Sequence, residues 1–414
     1  MALPDRFPQA PKAALFMMRD YTGIKVKFQA PSDQNRTDIQ SLIQALNVYD
    51  SNQSKDNVNN IIKLLKSLNM TGFRLREDPK TLIFVPIDVA AQGDGVTLLW
   101  RLGKVQASGK PETLKNPVIS AFVSNEHMKK DFADNIAIRF FLECNIKGML
   151  CNGVAFGCSP NLSPCQPPHK ETDVSHSNVP LYFSAIQAIV QNYPEAPISD
   201  LHGMEGSSST SSTKTPLQRR AIFVNNFGGQ FLPNGHVSWP SLFAVAMAQQ
   251  DLPPQTVAFG SRLPGAIIDS EGVHRKMADV AGSDGYFIKF DGSSNVTNVP
   301  GHVANGGDCT KKGQWLDKSL HMEWGPDYRT PGALQDEIVA AFKQALYWYV
   351  RYVPSKHNVW NLPAEINNNM RLYPAYFEKQ LQLAPQAMLF SKVDDTKVVM
   401  TSHEEIQTKR GFGV

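Results

Sequence analysis

Three short stretches of this sequence carry side chains that could do chemistry together. Ser319-Leu320-His321-Met322-Glu323-Trp324-Gly325-Pro326-Asp327-Tyr328-Arg329 reads as an alternating strand that stops at Trp324-Gly325-Pro326, with a carboxylate near its end and an arginine beyond. Ile198-Ser199-Asp200-Leu201-His202-Gly203 ends a second apolar strand in a histidine followed by glycine. A third strand, residues 118–123, runs into Ser124-Asn125-Glu126-His127, and Asp131 follows at the start of a helix. Strand ends are where α/β enzymes place reactive groups. Two histidines and a carboxylate delivered by two such ends (His127, Asp131 and His202) make the ligand set of a hydrolytic zinc site, with a fourth position left for water. Zinc brings that water's pKa to about 7, and a separate carboxylate must then accept its proton. Glu323 is the carboxylate placed for that task. Arg329 suits bidentate pairing with a substrate carboxylate. His176, three residues after Asp173, is a substrate-binding candidate or part of a helix start.

Each of these residues also has a structural reading. His202 before a glycine can cap a strand, and Glu126-His127 can be a solvated loop. Glu323 can pair with Arg329 or Lys318, and Arg329 can be a surface ion pair. The other histidines (His236, His274, His302, His321, His357 and His403) read as loop or flank residues without a role.

The elements that must position these side chains follow from hydrophobic periodicity. Apolar spacing predicts helices over 38–46, 58–68, 131–143, 180–191, 240–249 and 333–353. Strands are predicted at 24–28, 71–76, 81–87, 118–123, 147–151, 196–201, 221–226, 256–259, 286–290 and 320–323. From residue 117 onward strands alternate with helices, and 118–123 is apolar throughout, as when both faces of a sheet are covered. The expected class is α/β: a mostly parallel or mixed central sheet with helices on both faces, plus N- and C-terminal additions. Residues 106–116, with Gly109 and Pro111, mark the best boundary. The division is 1–110, a small α+β unit or elements added to the edge of the sheet; 111–353, the catalytic-type α/β region; and 354–414, a C-terminal extension. Residues 206–215 are Ser/Thr-rich and read as a mobile loop.

Composition sets outer limits. Hydrophobic residues make up 42% and charged residues 19% of the 414, the make-up of an ordinary globular protein. The net charge of +3 is too small for a nucleic-acid footprint, and no apolar run is long enough for a membrane span. The first 18 residues make a poor signal peptide, so the default compartment is cytoplasmic, with export by another route left open. Five cysteines do not complete a disulfide framework. Cys151, Cys158 and Cys165, with His169 nearby, could form a zinc knot, but buried or free thiols are the plainer reading. Phosphate loops, dinucleotide fingerprints, nucleophile elbows and H-E-x-x-H helices do not occur.

The order Asp200-Leu201-His202-Gly203, then His321-Met322-Glu323 before the last long helix, resembles the zinc carboxypeptidase fold group. That group includes deacylases of N-acyl amino acids. The resemblance covers about residues 117–353. It implies a zinc ion held by His127, Asp131 and His202, a Glu323 general base, and a peptide or N-acyl amino acid-like substrate oriented by Arg329 or His176. Two departures stand out. The group's first ligand pair is usually His-x-x-Glu, whereas His127-Met128-Lys129-Lys130-Asp131 is longer and ends in Asp. An arginine many members carry after the next strand is absent from Asn152-Gly153-Val154-Ala155-Phe156. These departures motivate a second expectation: a metal-free interaction protein on the same fold, with a protein partner. A recognition surface of C-terminal aromatics (Trp360, Tyr373, Tyr376, Phe377) is a third.

Overall fold

The chain begins building its sheet within its first ten residues. The computed structural model describes residues 2–16, 30–87, 96–109, 118–125, 133–152, 180–203, 222–225, 239, 242–243, 246, 257–260, 267–268, 274–275, 318–324, 326–329, 331–352, 390–392 and 398–400. Strand β1 (Gln9–Ala10) and a single turn, α1 (Ala13–Phe16), precede two amphipathic helices, α2 (Asp33–Ser51) and α3 (Lys55–Ser67). Serines start both. The Ser32 hydroxyl accepts the Asn35 N–H at 3.1 Å while the Asn35 side chain accepts the Ser32 N–H at 3.3 Å, and the Ser54 hydroxyl accepts the Asn57 N–H at 3.2 Å. A cap of this kind contributes about 1 kcal/mol. It also explains why each helix begins ahead of the apolar stripe from which it was predicted.

Three antiparallel strands follow: β2 (Met70–Leu75), β3 (Thr81–Pro86) and β4 (Val96–Arg101). The expectations for this region omitted β4. All six of its residues are buried, and it hydrogen-bonds β3 on one side and a later strand on the other, so it is an interior strand. Next come β5 (Phe122–Asn125), α4 (Asp134–Glu143), β6 (Gly148–Asn152), α5 (Leu181–Asn192) and β7 (Ile198–Gly203). They are followed by β8 (Ile222–Asn225), β9 (Val257–Gly260), β10 (Ile267–Ile268), β11 (His274–Arg275), β12 (Ser319–Trp324), α6 (Pro326–Arg329) and α7 (Ala333–Tyr352). A short antiparallel pair, β13 (Phe390–Lys392) and β14 (Val398–Met400), is the last described element. The strands expected at 24–28 and 286–290 lie outside the described residues, as does most of the helix expected at 240–249.

Among the described residues ten strands form one mixed sheet, in the order β1-β2-β3-β4-β6-β5-β7-β12-β8-β9. At its centre β6, β5, β7 and β12 are mutually parallel. On the flanks, β4 runs antiparallel to β6, and β8 antiparallel to β12. The N-terminal strands therefore extend the central sheet.

The side-chain alternation of the strands sorts the core into two layers. On one face Leu82, Phe84, Leu98, Trp100, Phe122, Leu150 and Ile198 pack with α2, α3 and α5. On the other, Leu99, Val123, Met149, Leu201, Leu320, Met322 and Trp324 pack with α4 and α7. The α4–α7 contact includes a stacked pair, Phe140 and Phe342, with ring centroids 3.8 Å apart. Helices thus cover both faces, and the class is α/β as the periodicity predicted.

Gly148 shows how tight the first layer is. Trp100 on β4 and Phe122 on β5 both stand opposite it in register. A methyl group there would sit 2.9 Å from the Phe122 ring and 3.0 Å from that of Trp100. Neither ring can retreat, since both are fully buried. Gly148→Ala is expected to destabilise the protein by roughly 1–3 kcal/mol through overpacking. Urea unfolding followed by tryptophan fluorescence measures it; a midpoint equal to wild type would show that the layer yields.

At the amino end of β6 a second tight feature ties the first helices to the sheet. The buried Lys147 ammonium pairs with Asp50 at the end of α2 and donates to the carbonyl oxygens of Arg101 and Gly103. Asp50 also accepts the Gly103 N–H at 2.7 Å, and Lys147 lies 5.1 Å from the Trp100 ring centroid. Burial pushes Lys147 down to about 8 and raises Asp50, each against the pull of the other's charge.

Candidate functional site

Two chain crossings locate the point where the strand order reverses. The chain leaves β5, passes through α4 on one face and returns as β6 on one side of β5. It then passes through α5 on the opposite face and returns as β7 on the other side of β5. The strand order thus reverses between β5 and β7. In open α/β sheets such a reversal opens a crevice at the carboxyl ends of the two strands, where ligands bind.

Strand β7 brings Asp200 and His202 to that end. Ile198 packs on the α5 face and Leu201 on the α7 face, so strict alternation sends Asp200 and His202 to the α5 side. Both are buried, at 3% and 2% exposure. His202 Nε2 lies 2.8 Å from one oxygen of Asp200, and the Ser124 hydroxyl donates to the other oxygen, also at 2.8 Å. Ser124 stands opposite Asp200 in the β5–β7 register, so this last bond crosses between strands. On the reverse face the Asn125 side-chain amide donates to the Leu201 carbonyl at 3.0 Å, and the Trp239 indole donates to the Ser199 hydroxyl at 2.8 Å. The end of β7 is therefore fixed from both faces.

Strand β12 supplies the rest. In its parallel register with β7, His321 stands opposite Asp200 and Glu323 opposite His202. Leu320, Met322 and Trp324 belong to the α7 layer, so the positions of His321 and Glu323 alternate onto the face of His202. The two segments picked out from the sequence, over a hundred residues apart, are thus neighbours. His321, read as a flank residue from sequence, is an internal strand residue. Arg329 closes α6, just past the end of β12, and is buried at 5% exposure. The same turn is held by Gln335, whose side chain donates to the Tyr328 carbonyl at 2.7 Å.

His127 and Asp131 belong to the segment leaving the carboxyl end of β5, and they lie outside the described residues, as does His176. Among the described residues no three His, Cys, Asp or Glu side chains converge as a metal site. Imidazole is a zinc ligand type, and which way the hydrogen bond between His202 Nε2 and Asp200 runs depends on the ring's tautomer. Cys151, by contrast, is a core residue of β6 packed in the α4/α7 layer, and burial pushes its thiol well up. That environment opposes the thiolate a zinc knot would need. Cys158, Cys165 and His169 lie outside the described residues.

Ser124 and Asp200 were not among the residues expected at the site. Asp200 had one usable signal: an acid two residues before a histidine in a strand shares its face. No described helix is long and apolar enough to cross a membrane. No family model matches the chain, and no curated protein or solved structure is significantly similar to it.

Proposed function

We propose that the chain is a zinc-dependent hydrolase of an amide-like bond, acting on a peptide or an N-acyl amino acid. The observation that carries this reading is the β7–β12 register, which sets Glu323 opposite His202 beside the β5–β7 reversal of strand order. His202 would hold the metal together with His127 and Asp131, on the segment that follows the adjacent β5. Zinc, when bound, acidifies a coordinated water to about pKa 7 and polarises the scissile carbonyl.

The remaining chemistry falls to the chain's own side chains. Glu323 takes a proton from the attacking water and returns it to the leaving nitrogen, a general acid–base role. Arg329, beyond the end of β12, pairs with a substrate carboxylate through its guanidinium fork. His176 serves as a second contact to the substrate. Burial of His202 and Asp200 keeps bulk water from competing for these charges.

Metal analysis of purified protein, with His202→Ala alongside, tests the proposal. About one zinc per wild-type chain, and a clear loss in a variant with the wild-type circular dichroism spectrum, is the expected result. Negligible metal in both proteins would remove the hydrolase and leave the metal-free interaction protein as the reading of this fold.

A further inference from the structure

We propose that Asp50, Trp100, Arg101 and Gly103 form a receptor for a primary alkylammonium group, which the protein fills with its own Lys147 and which takes a free amine when that side chain is cut back. Lys147 precedes β6 at its amino end, away from the carboxyl ends named in the zinc proposal, so the two stand or fall separately. The walls point to this ligand. A primary ammonium presents three N–H donors and no acceptor. Three acceptors meet the Lys147 nitrogen: a carboxylate oxygen of Asp50, the Arg101 carbonyl, and the Gly103 carbonyl at 3.0 Å. The Trp100 ring, its centroid 5.1 Å away, adds a π face that attracts a cation. One carboxylate among neutral carbonyls and a ring balances one positive charge, which suits a monovalent head group and not a divalent metal.

These walls are set by bonds that do not involve the ammonium. Asp50 accepts the Gly103 N–H at 2.7 Å and the Tyr193 hydroxyl at 3.5 Å. The Arg101 N–H donates to the backbone carbonyl of Lys147 at 2.9 Å, and the Leu102 N–H to that of Lys80 at 2.8 Å, so the backbone itself holds both peptide groups. Gly103 has a φ of +84°, and in that conformation its N–H meets Asp50 while its carbonyl meets the ammonium. The Trp100 ring is held against Phe122 and Tyr193, with centroids 5.7 and 6.0 Å away. Lys147 is only 1% exposed, so its stem fills closed space. Substitution by alanine removes everything beyond Cβ, which is the set of heavy atoms in n-propylammonium. The occupant goes and the walls stay, and a site already organised binds without the cost of ordering its groups.

Urea unfolding of the full chain at neutral pH, followed by circular dichroism, tests this with Lys147→Ala and n-propylammonium chloride. A ligand bound only by the folded form raises the folded-to-unfolded ratio about tenfold when its concentration is about ten times its dissociation constant. The expected result is a urea midpoint for Lys147→Ala that climbs with amine concentration, while wild type, whose site is filled, stays where it is. Tetramethylammonium chloride at equal ionic strength carries the charge without an N–H and is expected to leave the variant unchanged. Lys147→Arg keeps the charge on a longer stem with a planar fork, and is expected to remain less stable than wild type. If Lys147→Ala is unfolded without the amine, recovery of the native spectrum on adding it is the expected result. No response of Lys147→Ala, whether it starts folded or unfolded, overturns the proposal. An equal response of wild type, an equal effect of tetramethylammonium, or a Lys147→Arg protein as stable as wild type also overturns it.

Discussion

On the proposed zinc-hydrolase reading, Glu323→Gln is expected to yield a folded protein that still binds zinc and hydrolyses an amide substrate at least about 100-fold more slowly than wild type, since a positioned acid–base group contributes about 10²–10⁴-fold. Glutamine keeps the size of the side chain and its place opposite His202 on β12, but it cannot accept a proton. The change therefore separates proton transfer from metal binding, which His202→Ala cannot do. A panel of N-acyl amino acids and short peptides, assayed for released amine alongside zinc content, makes the measurement. Zinc retained with the rate unchanged would rule Glu323 out as the base. Zinc lost with the rate would make it a ligand.

The second large effect concerns stability. Lys147→Met is expected to destabilise the fold by roughly 3–5 kcal/mol, the usual cost of leaving one member of a buried ion pair alone. Methionine fills the space of the lysine stem but leaves Asp50 without its cation and the carbonyls of Arg101 and Gly103 without their donor. Replacing both charges, with Asp50→Leu added, is expected to recover much of the loss, because well-packed apolar groups substitute for buried pairs at little cost. Urea unfolding of wild type, both single variants and the double variant tests this. A double variant no more stable than the worse single would show that the charges are needed for more than each other.

The same lysine predicts a pH dependence. Its folded pKa, lowered to about 8 chiefly by burial, lies below its ordinary 10.5. Between those values the unfolded chain binds the extra proton, so this group's contribution to stability rises with pH. The difference in unfolding free energy between wild type and Lys147→Met should therefore widen from pH 7.5 to about pH 9.5 by the linkage slope.

Much of the architecture was legible because local signals agree. The apolar stripes of 38–46 and 58–68 mark α2 and α3, and the alternation of Leu320, Met322 and Trp324 already marks one face of β12. Strand β4 was passed over, although Val96-Thr97-Leu98-Leu99-Trp100 is the continuous apolar run of a strand covered on both faces. Of the candidate site, sequence supplied His202, Glu323 and the expectation that strand ends matter. It could not supply the β7–β12 register, which pairs residues some 120 positions apart through long-range backbone hydrogen bonds. Nor could it supply the bond from Ser124 to Asp200, since that depends on β5 and β7 lying side by side.

The place of β4 carries a consequence for how the chain can be divided. Its backbone occupies one whole side of β6, whose Met149, Leu150 and Cys151 are fully buried. A fragment starting after Arg101 would bare a greasy ribbon of unanswered N–H and C=O groups, the kind of surface that recruits copies of itself into stacked aggregates. In the folded protein the leading hundred residues thus shield that ribbon from solvent and from other chains.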